Sequence, residues 1–296
     1  MKNLRGALAI LFIVANTIIC CIPIYLLAIP RALLRFEPLP EILGAAMTRV
    51  IDLWVSGNRL MMRALSITQV HTEWAITMPL SRDQWYLIIA NHQGWSDILI
   101  LQDLFLELTP PLKFFVKRQL LWVPFIGFAM WLLEFPYVRR YGKEALAANP
   151  ALRVHDQNAT RAACDHFKRR PTSVLNFMEG TRFTQAKHAF QGSSFKNLLM
   201  PKSGGFGYVI GALGDRISQV LDVTIVYPNG VPSFWGFLCG GAPTVNVAVT
   251  SLKAPAPVLN DGFEISDQSR DELREWVNGL WSQKDTRIDK MREACR

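Results

Sequence analysis

From Gly6 to Pro30 the chain carries no charged residue, and Arg5 on one side and Arg31 and Arg35 on the other bracket the run. About 20 apolar residues in helical form cross a bilayer, so the stretch is long enough to span one. Pro23 interrupts it, which leaves a kinked span and a re-entrant hairpin both open. A signal peptide is the competing reading. Lys2 and Arg5 suit its basic start, but the run is long and no clear Ala-x-Ala site ends it. The expectation is a retained membrane anchor over residues 1–36, followed by one α/β domain over 37–296. Positive charge at both ends leaves the orientation undecided.

Composition agrees with a membrane setting. Of 296 residues, 50% are hydrophobic and 19% charged, and the net charge is +8. A chain both apolar and basic suits an anionic membrane surface or anionic ligands. Nucleic acid is not expected, because there is no zinc-finger or RNA-binding signature and no long basic run. Cys20, Cys21, Cys164, Cys239 and Cys295 are odd in number and form no Cys-x-x-Cys pair. That argues against a disulfide framework and a zinc site, and it fits a reducing compartment.

Beyond the anchor, Glu41 to Ile67 places apolar residues at helical period, with Arg49, Asp52, Arg59 and Arg63 off the stripe. Val70–Thr77 and Trp85–Ala90 read as strands. A short strand within the run from Phe114 delivers Lys117 and Arg118 to a loop, and an aromatic-rich apolar helix follows. Pro136–Arg139 suits a short strand and Ala151–Arg170 is polar with helical character. Ser173–Phe177 is another short strand, Val223–Tyr227 a buried one, and Val245–Leu252 alternates like a partly exposed one. Phe206–Leu213 is an apolar helix, preceded by Pro201-Lys202-Ser203-Gly204-Gly205. Its glycines would expose N–H groups to an anion, but no P-loop spacing is present, so nucleotide hydrolysis is not expected. A capping box at Ser269 and Glu272 opens a terminal helix through Leu273, Trp276, Val277, Leu280 and Trp281. Strands alternating with helices imply an α/β fold, a central mostly parallel or mixed sheet flanked by helices.

The polar residues cluster where strands end. After Trp85–Ala90 come Asn91-His92-Gln93-Gly94-Trp95-Ser96-Asp97 and then an apolar helix. Five residues along a regular helix turn two side chains about 140° apart. His92 and Asp97 therefore meet only if the chain bends between them, which Gly94 permits. Together they would form a general base and its orienting carboxylate. Lys117 and Arg118 offer two cations to a phosphate. In Glu179-Gly180-Thr181-Arg182 the glycine allows a turn, Arg182 carries a fork matched to phosphate, and Glu179 would hold that Arg or a substrate hydroxyl. A serine hydrolase lacks its Gly-x-Ser-x-Gly elbow here. A metal hydrolase would use His92, Asp97 and Glu179 as ligands, and a non-enzymatic lipid-binding protein would need none of them.

In order and spacing these segments resemble the PlsC-type glycerolipid acyltransferase family, which includes the lysophosphatidic acid acyltransferases. Asn91-His92-x-x-x-x-Asp97 looks like that family's first block and Val116–Gly127 its second. Phe177-Met178-Glu179-Gly180-Thr181-Arg182 looks like its third and Val223–Pro228 its fourth. The family commonly has Glu or Ser where Gln119 stands, and Pro where Met178 stands. Gln93–Ser96 and the long anchor look closer to the lysophospholipid and lysocardiolipin branch.

The resemblance implies acyl transfer from acyl-CoA or acyl carrier protein to a lysophospholipid hydroxyl, most simply 1-acylglycerol-3-phosphate. His92 would be the base and Asp97 its partner. Lys117, Arg118, Glu179, Gly180, Thr181, Arg182 and Lys202 would serve substrate binding. Neither a metal nor a cofactor is implied. The implied setting is a membrane, with the catalytic domain on the cytoplasmic side of the cell membrane.

Overall fold

The computed structural model describes residues 2–34, 36–138, 166–253 and 267–294. The expected strand Pro136–Arg139 is present as β5 up to Val138, whereas most of Ala151–Arg170 lies outside the described residues, as do Cys164 and Cys295.

Six strands form the main sheet: β1 (Gln69–Ala75), β2 (Trp85–Ala90), β3 (Leu112–Phe114), β6 (Ser173–Phe177), β7 (Ile217–Val226) and β8 (Thr244–Leu252). Their order is β1-β8-β7-β2-β6-β3. β7, β2, β6 and β3 run parallel; β8 is antiparallel to β7 and parallel to β1. A mixed, mainly parallel sheet flanked by helices is the architecture expected from the alternation of elements. β4 (Val116–Lys117) and β5 (Tyr137–Val138) make a separate two-stranded ribbon.

The central strand shows why the sheet is covered on both faces. Side chains alternate across a strand. Tyr86, Ile88 and Ala90 pack with Leu99, Ile100 and Phe105 of α3 (Ser96–Phe105), while Leu87 and Ile89 pack into a second core. That second core holds Phe206, Val209 and Ile210 of α6 (Ser203–Leu213) and Leu273, Val277, Leu280 and Trp281 of α8 (Asp267–Glu293). A strand buried on both faces has no polar side to alternate with, so it reads as an unbroken apolar run.

The terminal helix is pinned by charge as well as by packing. Lys284 and Asp222 of β7 are both fully buried with Nζ 2.5 Å from Oδ1, and Lys284 also donates to the Val223 carbonyl at 2.6 Å. Arg287 reaches the other Asp222 oxygen at 3.0 Å. Burial pushes the Lys284 ammonium below its usual value, and Asp222 opposes the shift. The Trp281 indole donates to the Leu199 carbonyl at 3.1 Å. Ser269 lies inside α8 rather than at its start, so the expected capping box does not begin this helix.

The apolar N-terminus is one helix, α1 (Lys2–Leu33), with Pro23 and Pro30 inside it. It is followed by α2 (Leu39–Ala64). Pro23 removes one N–H from the helical ladder but does not turn the chain back, so no re-entrant hairpin forms within α1. The reversal comes between the two helices, which pack antiparallel. Asn16 donates to the Trp54 carbonyl at 2.8 Å and to Asn58 at 3.1 Å, and Trp54 Nε1 donates to Thr17 at 3.0 Å. Gly57 permits this approach, since a Cβ there would lie 2.7 Å from Asn16 Oδ1. Arg5 bonds the Ser66 carbonyl, Gly6 lies against Trp235 of α7 (Phe234–Leu238), and Arg31 pairs with Glu134, so α1 is tied to the domain near both ends. Its other face leaves Leu8, Leu11, Val14, Ile19, Ile22 and Leu26 exposed.

Candidate active site

β2 lies between β6 and β7, and the chain leaves β2 and β6 toward opposite edges of the sheet. In open α/β sheets ligands bind outside the carboxyl ends of strands at such a reversal. Here Asn91 and His92 follow β2, Met178 and Glu179 follow β6, and Tyr227 follows β7. Asn91 fastens two of these ends together: its side chain donates to the Ile225 carbonyl at 2.9 Å and accepts the Ile225 N–H at 2.8 Å.

His92 and Asp97 do meet. The chain bends at Gln93-Gly94 and α3 begins at Ser96, so His92 Nδ1 lies 2.9 Å from Asp97 Oδ2. Asp97 also takes the N–H groups of Gln93 at 2.6 Å and Gly94 at 2.9 Å, and the Tyr227 hydroxyl at 2.6 Å on its other oxygen. Four donors converge on a fully buried carboxylate, which fixes it as an acceptor for the imidazole Nδ1–H. That tautomer leaves Nε2 with a lone pair, the form a general base requires. The bonds to Gln93 and Gly94 use two of the main-chain donors beside Gly94, so the donors for an oxyanion narrow to Trp95 and Ser96. Ser96 itself is buried and bonded to Tyr227 at 2.7 Å, a poor setting for a nucleophile.

Asn91 and Tyr227 stand in the first and fourth blocks but carry no role in the sequence reading. Burial first, and the adjacent Asp97 second, push the Tyr227 hydroxyl well above its ordinary value, so it serves as a neutral donor. Phe177 completes the support, its ring stacked on the imidazole with centroids 4.0 Å apart.

Glu179 plays a different part from the one its position suggested. It is fully buried and reaches neither Arg182 nor the surface. Its two oxygens accept the main-chain N–H groups of His92 at 2.9 Å and Leu199 at 3.1 Å. It therefore holds the backbone that carries His92. Burial pushes its carboxyl up from 4.5 to about 8, against the pull of those two N–H donors and of Lys284. The folded state then binds more protons than the unfolded chain between those two values, so stability falls as pH rises from about 4.5 to about 8. Glu179→Gln is expected to flatten that slope in melting temperatures taken from pH 5 to pH 8.5. Parallel profiles for the two proteins would contradict it.

Of the expected cations, Arg182 is the one the structure ties to the loop of His92. Gly180 turns the chain in a left-handed conformation at φ 66°, and Phe183 N–H bonds the His92 carbonyl at 2.8 Å. The loop so placed sets the Arg182 guanidinium 4.3 Å above the Trp95 ring. Lys187 of α5 (Gln185–Gln191), not anticipated from the sequence, donates to Thr181 Oγ1 at 2.8 Å and to the Arg182 carbonyl at 2.9 Å. Burial, then the charges of Arg182 and Lys117, lower its ammonium from the usual value. Lys117, exposed at the end of β4, thus stands close enough to be felt by this group. Arg118 opens the short 3-10 helix Arg118–Trp122, and its side chain lies outside the described residues. Lys202 precedes α6, its N–H bonded to the Met178 carbonyl at 2.7 Å, so it sits behind the loop of Glu179.

Beside the cations runs an apolar cavity of about 230 Å³. Trp95, just before α3, and Ile98 within it line the cavity, with Cys21 and Ile24 from α1, Trp54 from α2, and Met130 from α4 (Ile126–Leu132). Among the described residues no three His, Cys, Asp or Glu side chains gather as a metal-binding group.

The α/β sheet thus carries a carboxylate-held imidazole at its switch point, with Arg182 stacked on Trp95 and an apolar cavity beside that indole. Comparison with known proteins places it further. The Acyltransferase family model matches residues 71–228, just over half of the chain, and the chain belongs to that family. It is 24% identical to lysocardiolipin acyltransferase 1 of Gallus gallus over 225 residues, covering 70% of this chain and 54% of that protein. It is 25% identical to 2-acyl-1-lysophosphatidylinositol acyltransferase of Saccharomyces cerevisiae over 261 residues, covering 75% and 59%. Identity to 1-acyl-sn-glycerol-3-phosphate acyltransferase gamma of Homo sapiens is 27% over 186 residues, covering 58% and 44%. The chain thus spans about half the length of the curated relatives it matches.

Proposed function

We propose that this protein transfers a fatty acyl group from an acyl thioester, on CoA or acyl carrier protein, to the free hydroxyl of a lysophospholipid. The observation that carries the reading is the 2.9 Å contact between His92 Nδ1 and the four-times-bonded Asp97. An alcohol is a weak nucleophile until its proton is taken. Nε2 of His92 removes that proton as the oxygen attacks the thioester carbonyl. The tetrahedral intermediate expels the thiolate, which takes the proton back from the imidazolium. Asp97 stabilises that imidazolium, and N–H groups at the start of α3 offset the oxyanion charge. A thiolate leaves readily, so the cycle needs neither a covalent enzyme intermediate nor an added metal.

The acceptor we favour is 1-acylglycerol-3-phosphate, giving phosphatidic acid. The names of the relatives cover several lysophospholipid acceptors, all carrying phosphate. Arg182, Lys117 and Lys187 offer the cluster of positive charge such a group needs, and the apolar cavity suits an acyl chain. The reading includes attachment to a membrane through residues 1–36, supported by the exposed apolar face of α1. We place the α/β domain on the cytoplasmic side, in keeping with an odd number of cysteines and no Cys-x-x-Cys pair in the sequence.

The test is a product assay with purified protein, acyl-CoA or acyl carrier protein thioester, and a panel of lysophospholipids, alongside thioester hydrolysis without acceptor. Diacyl product is expected; hydrolysis alone would replace transfer with a thioesterase. In the same assay Arg182→Ala should lower kcat/KM for a phosphorylated acceptor by about 2 kcal/mol, roughly thirtyfold. Monoacylglycerol, which lacks phosphate, should show no such loss. An equal loss with both acceptors would remove Arg182 from phosphate binding.

A further inference from the structure

Trp95 belongs to two subsites at once. It stands at the start of α3, three residues after His92, with half of its surface exposed. Arg182 lies 4.3 Å over its ring, and the same side chain lines the apolar cavity. No carboxylate lies within ion-pair distance of Arg182 among the described residues. The contacts that place this residue are the Lys187 bond to its carbonyl and the indole face beneath its guanidinium. An indole face attracts a guanidinium through its quadrupole without neutralising the charge, so the cation stays available to an anion. A carboxylate partner would compete with phosphate; an aromatic one does not.

We propose that Trp95 is a specificity-determining residue that couples the two substrates, an inference resting on the acyl-transfer reading. An acyl chain filling the cavity packs against the indole and restricts its rotation. The restricted indole presents Arg182 to the acceptor phosphate in one orientation. Coupling of this kind is reciprocal, so a bound acceptor also favours the longer chain. A short chain that leaves the cavity part empty does not hold the ring, and the phosphate then meets a less ordered guanidinium.

Wild type, Trp95→Leu and Trp95→Phe separate the parts of this claim. Leucine keeps an apolar wall but removes the π face; phenylalanine keeps a smaller face. Each protein is assayed with butyryl-CoA and palmitoyl-CoA, and with 1-acylglycerol-3-phosphate and monoacylglycerol as acceptors. In wild type the KM for the phosphorylated acceptor should be about fivefold lower with the long donor. Trp95→Leu should raise that KM about fivefold and erase its dependence on donor length. Trp95→Phe should retain part of both effects, and monoacylglycerol should show neither. Melting temperatures check that the half-exposed position leaves the fold intact. An active wild type whose acceptor KM ignores donor length, or a Trp95→Leu variant with wild-type KM, overturns the coupling alone. A wild type that transfers to no lysophospholipid overturns the acyl-transfer reading, and this proposal with it.

Discussion

Replacing His92 with alanine is expected to lower kcat by about 10²–10⁴-fold, the usual contribution of a positioned general base. The loss should fall on kcat and leave substrate binding nearly unchanged, because the proton moves only in the transition state. The fold should survive. The ring stacks on Phe177 but is not fully enclosed, and the bonds that shape the loop come from the His92 main chain and from Asp97. Asp97→Asn tests the same unit from behind. An amide there can keep its oxygen for the Gln93 and Gly94 donors only by turning its NH₂ on the Tyr227 hydroxyl, or the reverse, so one donor always meets a donor. Activity should drop steeply, with a loss of stability that His92→Ala does not share. Steady-state kinetics on both variants decides the matter: near-normal turnover by His92→Ala ends the proposed mechanism.

The largest effect on stability is expected from Asp222→Ala. Breaking a buried ion pair from one side leaves the other charge without compensation and costs about 3–5 kcal/mol. Here the stranded group would be the Lys284 ammonium, left with the Val223 carbonyl and the face of Trp281. In a chain of this size the melting temperature should fall on the order of 10 °C. The paired replacement Asp222→Leu with Lys284→Met should recover much of that loss. Arg287, about a quarter exposed, can then turn toward water. A shift under about 2 °C for Asp222→Ala would mean that water already reaches the pair.

What the chain betrays before it folds depends on how local the cause is. β2 and β6 are found at the residues expected, Trp85–Ala90 and Ser173–Phe177, because burial on both faces leaves short apolar runs with polar ends. The His92–Asp97 contact was legible for the same reason: six consecutive residues and one glycine contain its geometry. The roles of Tyr227 and Asn91 were not, although both stand in the blocks that carry the resemblance, since each acts across about 130 residues. Glu179 shows the limit in another form. Its neighbours in sequence, Gly180 and Arg182, suggest a carboxylate that holds Arg182 or a substrate hydroxyl. Its neighbours in space, the N–H groups of His92 and Leu199, make it an internal brace. Lys187 was missed because its grip on Thr181 and Arg182 depends on α5 folding back over the loop. Pro23 leaves a kinked span and a hairpin both open in the sequence, and the structure has the continuous helix. A proline usually marks a break, yet packing of α1 along α2 carries the helix through it.

The brace behind His92 has a consequence for how the protein is made. Glu179 grips Leu199 as well as His92, and the Leu199 carbonyl is held by Trp281 of the last described helix. A nascent chain that has left the ribosome as far as β8 already holds His92, Asp97 and Arg182. It lacks the helix that covers Leu87, Val220 and Phe206 and that brings the Lys284 charge beneath Glu179. Domains fold as units during synthesis. The imidazole would therefore gain its final setting only when α8 docks, after the rest of the sheet has been made.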